Sequence, residues 1–174
     1  MMETGQNPMR SVAIEKVTLN IGVGGAGEEL ENAKSLLERL SGGKAISTLA
    51  RVRNPVFKIK KGDPIGAKVT LRRVPAVAFL KRCLVVKGNR IAAHSFDREG
   101  NFSFGVPEYI ELPDAKYDPK IGIIGFDVCV TLRRKGGWRV ARRRRSCTHI
   151  GAKHRLTKDE AIEFAKSNLG IEVS

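Results

Sequence analysis

The chain has 174 residues, 41% of them hydrophobic, and 32 Lys and Arg against 18 Asp and Glu give a formal net charge of +14. This length suits a single domain over residues 1–174, and the charge excess favours a polyanionic partner, either nucleic acid or an anionic membrane surface. No apolar run approaches the roughly 20 residues of a membrane span, and the N-terminus has no apolar signal core, so we expect a cytoplasmic protein without a membrane partner.

Three cysteines are odd in number and widely spaced: Cys83, Cys129 and Cys147. This pattern is typical of reduced thiols in an intracellular protein rather than of a disulfide framework. We expect two of the three side chains to lie in the core.

The first predicted element is a strand from Val12 to Ile21 with two unlike faces. Its apolar face comprises Val17, Leu19 and Ile21. Its polar face comprises Lys16, Thr18 and Asn20. Leucines at helical spacing then predict a helix from about Glu28 to Leu40, which the following Ser-Gly-Gly ends.

Between this strand and helix, Gly22, Gly24 and Gly27 match the G-x-G-x-x-G fingerprint of dinucleotide-binding proteins. The helix, however, opens with Glu28-Glu29, which places negative charge where a pyrophosphate would sit. Residues 42–62 also contain no Asp or Glu to bind a ribose. We therefore expect the glycines to form a sharp turn and expect no cofactor; a dinucleotide-binding enzyme is the least favoured alternative.

Residues 50–73 carry eight Lys or Arg against one acid, Asp63. The first part, at about 50–66, is predicted to be a basic loop, because its two prolines and two glycines, including Pro64 and Gly66, resist both helix and central strand. An alternating strand, Lys68–Arg72, follows it. A loop this basic favours an external polyanion, and the alternative is a solvated loop that serves solubility.

A second helix is predicted to begin near Pro75 and to end at Gly88-Asn89, and a turn cluster spans 97–101. The segment 107–119 is acidic and is predicted to be a loop, whose acids pair with basic groups of the chain or face a partner. The last clear strand, 121–134, has an apolar side of Phe126, Val128, Val130 and Leu132. Its other side comprises Asp127, Cys129, Thr131 and Arg133.

If these three strands share one sheet, helices cover its apolar side and the other side stays open. An open face rich in Lys, Thr, Asn and Arg, and poor in aromatic residues, suits phosphate and ribose contacts better than base stacking. The alternative is an ordinary solvated sheet face. The recurrent threonines and the lack of balancing Glu favour the binding interpretation.

The segment 133–155 holds ten Lys or Arg and no acid. Its middle, Arg142 to Arg145, is too charged for a core, and we expect it to be disordered until it meets a polyanion. Trp138 either stacks on a base or anchors the segment to the domain. Cys147, His149 and His154 suggest zinc, but no paired cysteines accompany them, so we expect no metal site.

Beyond this segment, Thr157-Lys-Asp-Glu160 predicts a capping box that starts a helix running to about Asn168, with Gly170 after its end. No nucleophile–base–acid arrangement, paired metal ligands or phosphate loop ending in Gly-Lys-Ser/Thr is visible in the chain. We expect no catalytic residues and no enzymatic activity.

Four segments together resemble the large-subunit ribosomal protein L5 family, the 5S rRNA-binding protein: residues 17–24, 57–72, 95–106 and 117–132. The likeness runs from about Ser11 to the final helix, with the motifs in order. Residues 144–161 resemble the archaeal and eukaryotic branch, so we expect the extra N-terminal helix of bacterial members to be absent. The chain departs from many bacterial members at Gly43, where they carry Gln.

The resemblance implies an α+β fold, in which a largely antiparallel sheet has helices packed on one face and the other face open for RNA. It implies a structural constituent of the large ribosomal subunit that binds 5S rRNA and part of the large rRNA in the central protuberance. By position in the matching motifs, the implied 5S rRNA contacts are Lys16, Thr18, Asn20, Lys68, Thr70 and Arg72.

The family's basic loop reaches the elbow of P-site tRNA. The implied candidates here are Arg51, Arg53, Asn54, Phe57, Lys58 and Lys60. Additional rRNA contacts are expected from Arg133, Arg142, Arg143, Arg144, Arg145, Lys153 and Arg155. The remaining implied partners are neighbouring ribosomal proteins and the small-subunit head, through an intersubunit bridge for which no residue is assigned. A non-ribosomal general RNA-binding module is the main alternative.

Overall fold

The computed structural model describes residues 7–113 and 115–173 of the chain, without the side chains of Trp138 and Arg139. The predicted role of Trp138 therefore lies outside the described part. The described residues form seven strands and four α-helices, joined by loops and short 3-10 turns. They are β1 (Val12–Gly22), α1 (Glu28–Ser41), β2 (Ile46–Leu49), β3 (Pro64–Leu71), α2 (Arg73–Val86), β4 (Arg90–Ile91), β5 (Phe102–Val106), β6 (Phe126–Arg134), α3 (Gly137–Ala141), α4 (Lys158–Leu169) and β7 (Glu172–Val173).

Five strands form one antiparallel sheet in the order β2-β3-β1-β6-β5, and β4 pairs with β7 in a small parallel sheet. Helix α1 packs against β3, and α2 packs against β1. This arrangement confirms the predicted α+β class. It does not suit a dinucleotide fingerprint, which belongs to a strand with parallel neighbours, because β1 is antiparallel to both of its own.

The core lies between the helices and one face of the sheet. On β1, the predicted apolar side is buried: Val17 and Leu19 are fully inaccessible, and Ile21 is nearly so. Leu37 of α1 and Leu80 of α2 are also fully inaccessible and belong to the same core cluster. Each such side chain contributes about 1.5–3 kcal/mol of stabilisation through its removal from water.

Strand β3 begins earlier than predicted, because Pro64 and Gly66 belong to it rather than to the loop. Pro64 is the first strand residue, where its missing N–H is tolerated. Gly66 pairs with Gly22 of β1 and with Thr48 of β2. A Cβ on Gly66 would lie 2.5 Å from the carbonyl oxygen of Ile21, so the absent side chain lets three strands approach closely.

Two further predictions about the strands need correction. Strand β6 starts at Phe126 and not at Ile121, because Gly122 has a φ of +73° and a Cβ on Gly125 would lie 2.6 Å from the carbonyl oxygen of Pro107. The segment before Phe126 is thus a close-packed turn. Strand β2 was not predicted at all: it is a four-residue edge strand that pairs only with β3.

The prediction of two core cysteines is wrong, because only Cys83 is buried. Burial raises the pKa of the Cys83 thiol to about 12, so this thiol stays protonated at neutral pH. Cys129 is exposed because it alternates with buried residues of β6, and Cys147 is exposed in the arginine-rich segment. No helix of the described residues is both long and apolar enough to cross a membrane.

Candidate nucleic-acid interface

The open face of the sheet carries the predicted polar side chains in register. Thr18 of β1 lies opposite Thr70 of β3, and Asn20 lies opposite Lys68. On the other side of β1, Lys16 lies opposite Thr131 of β6. Directly opposed residues share a face of the sheet, so strand pairing brings these side chains together on the side away from the core.

The residues of this open face are accessible but not equally so. Lys68, Thr70 and Arg72 are exposed, whereas those on the central strand are half-buried by their neighbours: Lys16, Thr18 and Asn20. Arg72 lies one residue beyond β3, in extended conformation at the start of α2, so it continues the alternation of the strand. The hydroxyl, amide and cationic groups of this surface are suited to phosphate oxygens and ribose hydroxyls.

Two residues on or beside the open face were missed by the sequence reasoning. Ile46 of β2 lies opposite Lys68, is 59% exposed, and adds an apolar group to the edge of the face. Glu15 of β1 lies where the pairing of β1 with β6 shifts register, between Ile14 and Lys16. An acid two residues before the core position Val17 is the sequence signal for such a bulge, because strict alternation would bury it.

The Glu15 side chain is only 8% exposed, and its carboxylate lies close to three guanidinium groups. The Oε1 atom lies 2.8 Å from Arg142 Nη2, which donates a hydrogen bond to it, and 3.6 Å from Arg72 Nη1. The Oε2 atom lies 3.1 Å from Arg133 Nε, close enough for an ion pair, but the two groups are not aligned for a hydrogen bond. The cluster connects β1, the end of β3, β6 and the arginine-rich segment.

The predicted basic loop is a hairpin arm rather than an irregular loop. At its base, the Ala50 N–H donates to the Asp63 carbonyl over 2.8 Å, and near its tip Asn54 and Ile59 exchange two backbone hydrogen bonds. The turn between them contains Lys58 with a φ of +54°. Backbone pairing thus carries the arm away from the sheet.

The side chains of this arm point into solvent. All six residues predicted to contact tRNA are exposed: Arg51, Arg53, Asn54, Phe57, Lys58 and Lys60. Phe57 is 70% exposed, and its apolar neighbours Val52 and Val56 are 76% and 84% exposed. The arm therefore combines cations with apolar groups, which fits contact with both phosphates and the flat faces of bases or sugars.

The arginine-rich segment is partly fastened to the sheet. Arg142 reaches Glu15 of β1, whereas the bond from Arg155 Nε to the carbonyl oxygen of Ile150, over 3.3 Å, lies within the segment. The remaining predicted contacts in the segment are exposed: Arg143, Arg144, Arg145 and Lys153. Among the described residues, no group of three or more His, Cys, Asp or Glu is placed to hold a metal ion.

The acidic segment 107–119 lies against α1 through Asp118. The Asp118 carboxylate accepts hydrogen bonds from the Lys120 N–H and from the Arg39 guanidinium. These interactions hold the pKa of Asp118 below its ordinary value. The Asp118 N–H in turn donates to the buried Tyr109 hydroxyl. Asp118 thus pairs within the chain, and Asp114 lies outside the described residues.

The comparisons with known proteins agree with this architecture. The chain matches the family model described as Ribosomal protein L5 over residues 7–60 and the model of that family's C-terminus over residues 64–164. The chain belongs to the ribosomal protein L5 family. The two L5 matches meet in the hairpin arm, so the N-terminal match covers β1, α1 and β2 and the C-terminal match starts with β3.

Archaeal relatives of the L5 family match almost the whole chain. The protein named "Large ribosomal subunit protein uL5" from Sulfurisphaera tokodaii is 51% identical over 96% of this chain and 94% of its own length. Its namesake from Methanococcus vannielii is 48% identical over 97% of this chain and 94% of its own. The protein of the same name from Nanoarchaeum equitans is 48% identical over 97% of this chain and 99% of its own length. Membership of this family supports a structural role in the ribosome.

Proposed function

We propose that the chain is a structural component of the large ribosomal subunit in the cytoplasm and that its open sheet face binds 5S rRNA. The register of three neighbouring strands carries this proposal, because it places two facing pairs, Thr18–Thr70 and Asn20–Lys68, beside Lys16 on one surface. A rigid array of hydroxyl, amide and cationic groups fits a folded RNA backbone, which presents phosphates and 2′-hydroxyls at fixed spacing.

The hairpin arm supports a second contact, with P-site tRNA. Its exposed cations and Phe57 project away from the sheet, so the arm is free to meet an RNA other than the one on the open face. Binding must order several long, solvated side chains, which opposes the contact by their lost rotamer freedom. We therefore expect a weak and reversible contact, as the movement of tRNA through the ribosome requires.

The exposed arginines of residues 142–145 support a third contact, with the large rRNA of the central protuberance. Lys153 and Arg155 extend this surface, and the family resemblance adds neighbouring ribosomal proteins and an intersubunit bridge to the small-subunit head as partners. A non-ribosomal module that binds many RNAs by charge alone is the main alternative, and the net charge of +14 favours it.

Binding to 5S rRNA and to an unrelated structured RNA of equal length, measured across a salt series, tests the proposal. A binder that neutralises about 6–10 phosphates by charge alone loses roughly 10³–10⁵ in affinity between 50 and 200 mM salt on either RNA. We expect a large preference for 5S rRNA to survive at the higher salt, because the sheet face recognises an RNA shape. Two binding curves that fall together would establish the general RNA binder instead.

A further inference from the structure

We propose that Glu15 is a positioning residue of the RNA-binding surface: its carboxylate, on a side chain that is largely buried, holds Arg72, Arg133 and Arg142 together as a preformed arginine cluster that binds the backbone phosphates of 5S rRNA. The inference rests on the proposed function, since it assigns the cluster to the same RNA-binding face. An acidic residue would thereby strengthen the binding of a polyanion, whereas its negative charge alone would weaken that binding.

The backbone is shaped to bring this acid to the open face. Strict alternation from Val17, which is buried in the core, would turn Glu15 inward as well. The register shift between Ile14 and Lys16 interrupts that alternation. Bulges of this kind redirect a side chain, and here the redirected carboxylate meets arginines that follow the polar side of β3 and β6.

The charge balance of the cluster leaves it attractive to phosphate. The carboxylate of a side chain that is 8% exposed is disfavoured by desolvation unless it is paired. Here three guanidinium groups face one carboxylate, so the four groups together carry a net charge of +2. The arginine side chains remain 37–46% exposed. Each guanidinium has five N–H donors, more than a shared carboxylate can engage, so donors remain for phosphate oxygens.

Without the carboxylate, the same three arginines would repel one another and regain their rotamer freedom. RNA binding would then have to order them again, which reduces affinity for the RNA whose phosphates fit the cluster. Removing an acid also raises the net charge, which strengthens attraction to any RNA. Positioning and charge therefore predict opposite changes for 5S rRNA when Glu15 is neutralised.

The test compares Glu15→Gln with Asp127→Asn in the full chain. Asp127 is an exposed acid on the same open face, opposite Asn20, and it forms no ion pair within the part of the chain that the structure describes. Both variants remove one negative charge. We expect Asp127→Asn to raise affinity for 5S rRNA and for the unrelated RNA alike, whereas Glu15→Gln lowers the preference for 5S rRNA by about tenfold.

A second variant, Glu15→Asp, keeps the net charge and withdraws the carboxylate by one methylene group. We expect it to lose about threefold of the preference, a change that only the position of the carboxylate explains. Thermal denaturation shows whether each variant folds. If Glu15→Gln does not fold, Glu15→Asp takes its place in the test. Relaxation of the arginine Nε–Hε groups in the free protein should show Arg72, Arg133 and Arg142 ordered in the wild type and mobile in Glu15→Gln.

The inference is overturned if both Glu15 variants keep the wild-type preference, or if the three arginines are equally mobile in wild type and variant. Its failure is distinct from that of the proposed function. A wild-type chain that does not prefer 5S rRNA contradicts both, and it does so before any variant is made. A wild-type preference that survives in the Glu15 variants contradicts only the positioning role.

Discussion

Single residues decide how closely the strands and charges of this protein approach one another. Gly66 is the clearest case for packing, since β1, β2 and β3 meet around its missing side chain. A Cβ there would lie 2.5 Å from the Ile21 carbonyl oxygen and 2.9 Å from Thr48 Oγ1. Both neighbours belong to paired strands, so the backbone cannot move away without breaking the ladder.

We therefore expect Gly66→Ala to reduce the free energy of unfolding by about 1–3 kcal/mol, the usual cost of overpacking. Urea denaturation followed by circular dichroism measures this change. Gly25→Ala is the matched control, because a Cβ on Gly25 meets nothing within 4 Å and its φ is not positive. Equal stabilities of the two variants would contradict the close approach of the three strands at Gly66.

At the scale of the elements, α4 is fastened to the sheet through its first turn. The Thr157 hydroxyl accepts from the Glu160 N–H, the Glu160 carboxylate accepts from the Thr157 N–H, and Arg134 of β6 bonds to the same carboxylate. Partial burial alone would raise the pKa of Glu160, but the Thr157 backbone N–H and the Arg134 guanidinium outweigh it and hold the pKa below its ordinary value.

This depressed pKa predicts a pH-dependent contribution to stability. A carboxylate whose folded pKa is below its unfolded value of about 4.3 contributes stability above that value, and the contribution disappears as pH falls through the folded pKa. We expect Glu160→Gln to be less stable than wild type above about pH 5, with the gap closing in more acidic solution. Thermal denaturation of both proteins at a series of pH values measures this difference in stability.

The exposed Glu163 on the same helix provides the control for this measurement. Glu163→Gln makes the same chemical change without removing a bond to Arg134 or to the cap of α4. It should follow the wild-type stability at every pH. A constant gap between Glu160→Gln and wild type down to about pH 2 would show that the helix cap does not depend on the charge of Glu160.

The elements also show which parts of the fold sequence patterns can predict. Alternation identified both faces of β1 and β6, because long central strands bury one side completely. It missed β2, whose four residues, Ile46–Leu49, are all partly exposed at the sheet edge. It also missed the position of Glu15, since alternation assigns this residue to the inward face and the bulge turns it to the other. The expectation of two core cysteines failed because residue type does not decide burial: Cys129 lies on the exposed side of β6, as strand alternation places it.

The candidate site was predictable to a similar degree. The six residues of the sheet face were chosen from the family motifs and from strand alternation. The pairing of β1 with β3 brings Thr18, Thr70, Asn20 and Lys68 together on one face. Lys16 lies on the same face of β1, and Arg72 continues the alternation one residue beyond β3. The basic loop was found from its charge, but its hairpin form depends on the backbone bonds between Asn54 and Ile59, which leave no compositional signal. The arginine cluster around Glu15 joins residues 127 positions apart in sequence, beyond the reach of any local pattern.

For the whole molecule, the two proposed RNA-binding surfaces, the open sheet face and the hairpin arm, belong to different parts of the structure. The first is built on three paired strands, whereas the second is held by backbone hydrogen bonds between Ala50 and Asp63 at its base and between Asn54 and Ile59 near its tip. Residues more than about 10 Å apart with no shared partners act additively. Substitutions in one surface should therefore leave the other RNA contact unchanged.

We expect Asn20→Ala and Arg72→Ala each to weaken 5S rRNA binding, by roughly five- to tenfold for a lost hydrogen bond or phosphate contact. Arg72→Ala should also reduce the slope of log affinity against log salt by about 1. The double variant Arg53→Ala/Lys58→Ala removes two cations from the arm, yet it should keep 5S rRNA affinity and lower the occupancy of P-site tRNA on reconstituted ribosomes. Equal losses of 5S rRNA affinity in both sets would mean that the arm and the sheet face bind one RNA together.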